Sequence, residues 1–235
     1  MSASSELRPR PPLPGTVPLA SRALLAAVLA LLVVSAATDL FAVFAGSRVY
    51  ALVDGDAGFA FASEREFHDA YALYENAGRL QVMAVLPCAI VFVVWFFLMR
   101  RSTGLLAPDA FRRGPGWAIW GWLIPVANLW IPYRVAVGMW GACAPLPDGD
   151  DRRRTPMWPV NLWWALFVAT TLLGRVTAAR LDAAEGPGQI RDAVLQYAAL
   201  DLLYVAAAGA AAFFAIRLTA MQRRKVTEGP YWSGA

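Results

Sequence analysis

Long uncharged runs restrict the fold of this chain more than any other feature. Ala23–Thr38, Leu80–Met99 and Met157–Gly174 contain no Asp, Glu, Lys or Arg, and residues 193–216 contain only Asp201. A helix rises 1.5 Å per residue, so about 20 apolar residues cross about 30 Å of hydrocarbon. The composition agrees. It is 58% hydrophobic and 16% charged, where a soluble domain carries roughly 25% charge. The fold class read from this is all-α: an integral membrane helical bundle with four spanning helices. The spans are expected at about 22–46, 80–99, 158–178 and 192–216, inside a transmembrane domain covering 22–220. Residues 1–21 read as a disordered Pro-rich cytoplasmic tail, RPRPPLPGTVP being unable to form a helix. Residues 221–235 read as a second cytoplasmic tail. Basic residues before an apolar stretch at Ala23 resemble a signal peptide. The apolar character resumes after Asp39 with LFAVFAG, however, which predicts an uncleaved first helix.

Residues 117–142 are the difficult segment, because they contain WLIPVANLWIPY. Trp117–Ile124 would make only about 12 Å of helix. Pro125 and Pro132 each remove a backbone donor and crowd the preceding turn. They push Ile124 and Ile131 toward extended geometry. In lipid the freed backbone groups need partners, and Asn128 can supply them as an N-cap acceptor or as a turn residue. Eight of the ten tryptophans lie between Trp117 and Trp164, and Trp prefers the membrane interface.

Charge bias separates two topologies. If 117–142 does not cross, 15 of the 21 basic residues fall on the side of both termini. If it crosses, Arg152–Arg154 move outside and the two basic termini fall on opposite faces. The positive-inside tendency therefore favours four spans, both termini cytoplasmic, and a Pro-broken re-entrant or interfacial element at 117–142. The expected location is a bacterial cytoplasmic membrane, with multi-pass topology. The residue usage, 20 arginines to one lysine with much Ala, Gly and Pro, suggests a GC-rich bacterial genome.

Two smaller patterns stand out. Ser63-Glu64-Arg65-Glu66 fits a capping box. It predicts a helix that starts near Glu64, with Phe67, Tyr71, Tyr74 and Gly78 on one face, and runs on through the second span with a bend at Pro87. Pro125-Val126-Ala127-Asn128-Leu129-Trp130 is echoed by Pro159-Val160-Asn161-Leu162-Trp163. The echo marks either a shared local role or a coincidence in a biased sequence.

These residues also carry a family likeness. Trp122, Pro125, Asn128, Trp130, Pro132 and Tyr133, followed by Trp140 and the Trp163-Trp164 pair, resemble the bacterial membrane family of domain of unknown function 4328. The likeness covers roughly 75–220. It implies a multi-pass, mainly actinobacterial membrane protein without an assigned activity, and it carries no mechanism.

Three ionisable residues interrupt the apolar runs: Asp39, Arg175 and Asp201. Intramembrane charges are costly and usually pair inside the bundle or face a wet cavity. A cluster of the three is expected. It would serve as a proton- or ion-responsive site or small polar pocket, or as an ion pair that fixes helix register. Arg100, Arg101, Arg112, Arg113, Arg134, Arg152, Arg153 and Arg154 form a cytoplasmic basic set. They are candidates for contact with anionic lipid head groups, or ordinary positive-inside charge. The expected partners are membrane lipids and a possible protein partner or second copy, the latter through the small residues Ala206–Ala212. Nucleic acid is not expected, because the basic charge has a better use in the loops. Cys88, Cys143 and the lone His68 offer no four-ligand metal set, so neither metal nor cofactor is expected. No GxSxG, HExxH, Walker A or GxGxxG pattern occurs. The sequence therefore points to a non-enzymatic scaffold or regulatory membrane module, with a small transporter or channel using the charged cluster as the alternative.

Overall fold

The structure, a computed structural model, describes residues 20–53, 63–144, 155–182 and 187–227. The two expected tails apart from Ala20–Ser21 and 221–227, and the Arg152–Arg154 run, lie outside the described residues. Six α-helices make up the described chain: α1 Arg22–Val53, α2 Glu64–Leu106, α3 Trp117–Leu123, α4 Ile131–Cys143, α5 Trp158–Asp182 and α6 Pro187–Thr227. Among the described residues there is no strand. Helices α1, α2, α5 and α6 are long and apolar enough to cross a membrane. They overrun the spans expected from hydropathy, because a helix can continue past the apolar boundary wherever its polar residues meet water.

Helix α2 shows how its start is fixed. The Ser63 backbone N–H donates to Glu66 Oε2 at 2.9 Å, and the Glu66 N–H donates back to Ser63 Oγ at 3.3 Å. That is the expected capping box, and it satisfies two donors that the first turn leaves without partners. The helix then continues through Pro87. Its inner stripe is Ala77, Gln81, Ala84, Cys88, Phe92 and Trp95, spaced three or four residues apart as one helix face requires. This stripe differs from the aromatic face expected upstream: Tyr71 is exposed, while Tyr74 packs with Phe41 and Leu73 around buried Ala42, Ala45 and Ala77.

The described chain forms two compact units. One contains residues 22–95 and 157–216. Small residues bring α1 and α2 together at Ala42, Ala45 and Ala77. Aromatic rings fill its other end. Trp163 stacks on Phe214 with centroids 4.4 Å apart and meets Phe92 at 5.9 Å, while Trp95 meets the edge of Phe214 at 6.0 Å. Offset and edge-on ring pairs of this kind contribute about 0.5–1.5 kcal/mol each beyond area burial.

The other unit contains residues 20–21, the stretch 96–144, residues 155–156 and 217–227 of the described chain. Its core includes Phe96, Met99, Met139, Trp140 and Leu218, all buried. Buried Gln222 donates through Nε2 to the Met99 carbonyl at 3.2 Å and to Thr103 Oγ1 at 2.9 Å. Lys225 Nζ donates to the Ala142 carbonyl, placing a cation at the C-terminal end of α4, where the helix dipole favours one.

Candidate functional site

Gln81, Asp39 and Asp201 form the densest polar arrangement across helices in the first unit. Gln81 Nε2 donates to Asp39 Oδ1 at 2.8 Å and to Asp201 Oδ1 at 2.9 Å. One amide group thus joins α1, α2 and α6. Asp201 is buried and Asp39 is half-buried. Each site follows from helix periodicity. Asp39 lies on the inner face of α1 that continues through Ala42, Ala45 and Val49, and Gln81 lies on the inner stripe of α2.

Two features of this arrangement differ from the expected cluster. Arg175 is not in it: it is exposed on α5. The neighbouring Gly174 faces α6, where a methyl group would stand 3.0 Å from the Tyr204 hydroxyl. One residue further along a helix is turned by about 100°, which directs Arg175 away from that contact. The partner of the two carboxyls is instead the uncharged Gln81. A search restricted to charges passes over it, although it is the lone amide side chain in Leu80–Met99.

Gln81 is the second residue of a 20-residue apolar run that measures about 30 Å, one hydrocarbon thickness. Gln81 thus lies at the boundary of its run, whereas Asp201 is the ninth residue of the run 193–216.

In the second unit the WLIPVANLWIPY stretch is a broken hairpin. Helix α3 ends at Leu123, and Ile124 is extended, with φ −84° and ψ 116°. Pro125 thus ends α3. Pro132 has the opposite role and opens α4, with Ile131 as its first helical residue rather than an extended one. Between them the Ala127 N–H donates to the Pro125 carbonyl at 2.8 Å. With Val126 at φ 68° and ψ −51°, this is a γ-turn of the rare, strained hand. A 3-10 turn over Ala127–Leu129 follows.

The turn satisfies its backbone largely through itself. Asn128 N–H donates to Ile124 O at 3.0 Å, Leu129 N–H to Val126 O at 3.0 Å and Trp130 N–H to Ala127 O at 3.1 Å. Asn128 is therefore a turn residue and not an N-cap. The N-cap positions here are Val126 and Trp130, neither with a side-chain cap bond. Gly121 lets the two legs meet, since a methyl group on it would stand 2.6 Å from Ile131 Cγ2.

The other motif residues are spread over both units. Trp122 meets Phe96 edge-on at 5.8 Å, Tyr133 is half-buried and Trp140 is buried. Trp163 and Trp164 belong to the aromatic packing of α5. The Pro-Asn-Leu-Trp echo does not share a conformation. Its first copy is the turn, whereas Asn161, Leu162 and Trp163 lie within the first two turns of α5.

The basic set also divides. Arg100 is buried, its Nη2 donating to the Arg113 carbonyl at 2.8 Å and its guanidinium lying 3.5 Å over the Phe111 ring. Gly104 makes room for it. Arg100 is thus a packing residue. Arg101, Arg112, Arg113 and Arg134 are exposed, and Arg113 lies 4.7 Å over Trp117. Among the described residues no group of three or more His, Cys, Asp or Glu side chains is placed to hold a metal ion.

An all-helical chain with four helices of membrane length is a helical membrane protein in its architecture. Residues 60–220 match the family model described as domain of unknown function, DUF4328, and the chain belongs to that family. The match begins earlier than the sequence likeness, so the capping box of α2 falls inside it. Gln81 and Asp201 lie within the matched region, and Asp39 on α1 lies before it. No curated protein and no solved structure matches the chain.

Proposed function

We propose that this protein is a non-enzymatic scaffold or regulatory module of the bacterial cytoplasmic membrane. It has both termini in the cytoplasm and works through contact with lipid or with a protein partner. The observation that supports this reading is the Gln81 bridge. Both amide hydrogens are committed to carboxyls on two other helices, which suits a joint that sets helix register. Hydrogen bonds between helices in membranes contribute about 0.6 kcal/mol on average and up to about 1.7. Such a joint is firm enough to define one packing and weak enough for a partner to alter it.

The test is Gln81→Leu in the full chain, purified in detergent and reconstituted in liposomes. The proposal expects a Tm lowered by about 2–4 °C and no proton or sodium flux above that of empty vesicles for either protein.

A small transporter or channel for protons or cations is the second reading. It is favoured by two carboxyls sharing one uncharged donor at the edge of an apolar run, with no Lys or Arg bonded to either among the described residues. Flux in wild-type proteoliposomes that Asp39→Asn or Asp201→Asn abolishes would replace the first reading with this one.

A further inference from the structure

The α3–α4 hairpin orders its exposed side chains along its length. At the tip, Leu123, Ile124 and Val126 are exposed, Leu123 at 64% and Val126 at 66%. Behind the tip each leg presents a tryptophan, Trp120 at 60% exposure on α3 and Trp130 at 48% at the start of α4. Further back each leg carries exposed arginine: Arg112 and Arg113 before α3, and Arg134 one turn into α4. Asp109 is the lone acidic residue between Arg100 and Arg134, against five arginines. From Trp117 to Ile124 the rise is about 10 Å at helical spacing, and Arg113 lies beyond that, 4.7 Å over the Trp117 ring.

A soluble hairpin gains nothing by exposing Leu, Ile, Val and two Trp at one end. A bilayer leaflet presents the matching sequence of environments: phosphate, then interface, then acyl chain. Arg is held at the head groups, Trp prefers the interface, and aliphatic side chains enter the hydrocarbon edge. Neither leg is long enough to cross, since α3 and α4 have 7 and 13 residues, about 10 and 20 Å.

We infer that the α3–α4 hairpin is a wedge that seats tip-first in one leaflet, with Arg112, Arg113 and Arg134 holding anionic phospholipid head groups. This rests on the membrane-module reading above and names the lipid class with which the module makes contact.

The test uses the full chain with Cys88 and Cys143 replaced by alanine, reconstituted in bilayers of phosphatidylcholine with or without phosphatidylglycerol. A nitroxide is placed at Val126→Cys or, separately, at Ile90→Cys on α2. Spin-label relaxation by oxygen and by a water-soluble nickel chelate reports depth. The expected result is oxygen-accessible, nickel-shielded label at both positions. A nickel-accessible label at 126 beside a lipid-shielded label at 90 overturns the wedge and leaves the module reading standing. A nickel-accessible label at 90 overturns the module reading itself.

Head-group contact is read from tryptophan quenching by brominated phosphatidylglycerol against brominated phosphatidylcholine. Each Arg→Gln change at 112, 113 or 134 is expected to lower the preference for the anionic lipid roughly fivefold. Equal quenching by the two lipids in the wild-type protein overturns the anionic-lipid assignment.

Discussion

Val126 holds a backbone conformation that a β-branched residue seldom adopts. Its φ of 68° sits in the middle of a hydrogen-bonded γ-turn, and among the described residues it is the lone non-glycine with positive φ. Such outliers cost of order 1–3 kcal/mol, and glycine adopts them freely at a cost in chain entropy of roughly 0.5–1 kcal/mol. Val126→Gly is expected to raise Tm by about 2–4 °C, and Val126→Pro to lower it, because proline fixes φ near −65°; thermal unfolding of the purified chain checks both. Cys143 gives a second prediction at this scale. Burial pushes its thiol up from 9.0 to about 11, while the Thr103 hydroxyl and the Lys225 charge pull in the opposite direction. In a Cys88→Ala background, alkylation at neutral pH is expected only on unfolding. The buried thiol is favoured in its protonated form, so this contribution to stability is present in full below the unfolded value. It is lost between about pH 9 and pH 11, which a Tm series against Cys143→Ala resolves.

Turn chemistry, more than hydropathy, separates the elements that the sequence made legible from those it did not. The start of α2 was readable because Ser63 and Glu66 satisfy each other locally, and the short α3 was readable because a proline follows it. Helix ends beyond the apolar runs were not readable, since hydropathy marks lipid contact and not where backbone hydrogen bonding stops. The roles of Pro125 and Pro132 were harder still. The same residue ends one helix and opens the next, and what decides is whether a free N–H is needed there. At the candidate site Asp39 and Asp201 were legible as interruptions, but their shared partner Gln81 was hidden in an uncharged run. Arg175 was drawn in by its charge, and the Gly174–Tyr204 contact shows which way that face of α5 turns. Gly121 yields the test for the hairpin as an element. Gly121→Val would force a branched side chain against Ile131 and is expected to cost about 1–3 kcal/mol. Hydrogen exchange at residues 127–134 should rise before that in α2 does.

Across the whole molecule, glutamine amides provide polar ties between distant parts of the chain in each unit. Gln81 joins residues 42 and 120 positions away, and Gln222 reaches Met99 and Thr103 across 123 and 119 positions. A neutral amide offers two donors without the desolvation cost of a buried cation. Gln222→Leu is expected to cost about 1–2 kcal/mol, measured as a lower denaturation midpoint. Gln222→Glu should cost more, since it places a carboxyl against the Met99 carbonyl.

The length of α2 has one more consequence. Its first 16 residues, 64–79, precede the apolar run and rise about 24 Å. Over that height Ala77 meets Ala42 and Ala45 of α1, and Val194 of α6 comes beside Gly46 and Tyr74. The ends of α1, α2 and α6 thus pack on one another beside the Gln81 bridge. Helix α2 runs unbroken from Glu64 past Gln81, so no linker separates these packed ends from the bridge. Any twist or parting of these helix ends would act directly on the Gln81 bridge.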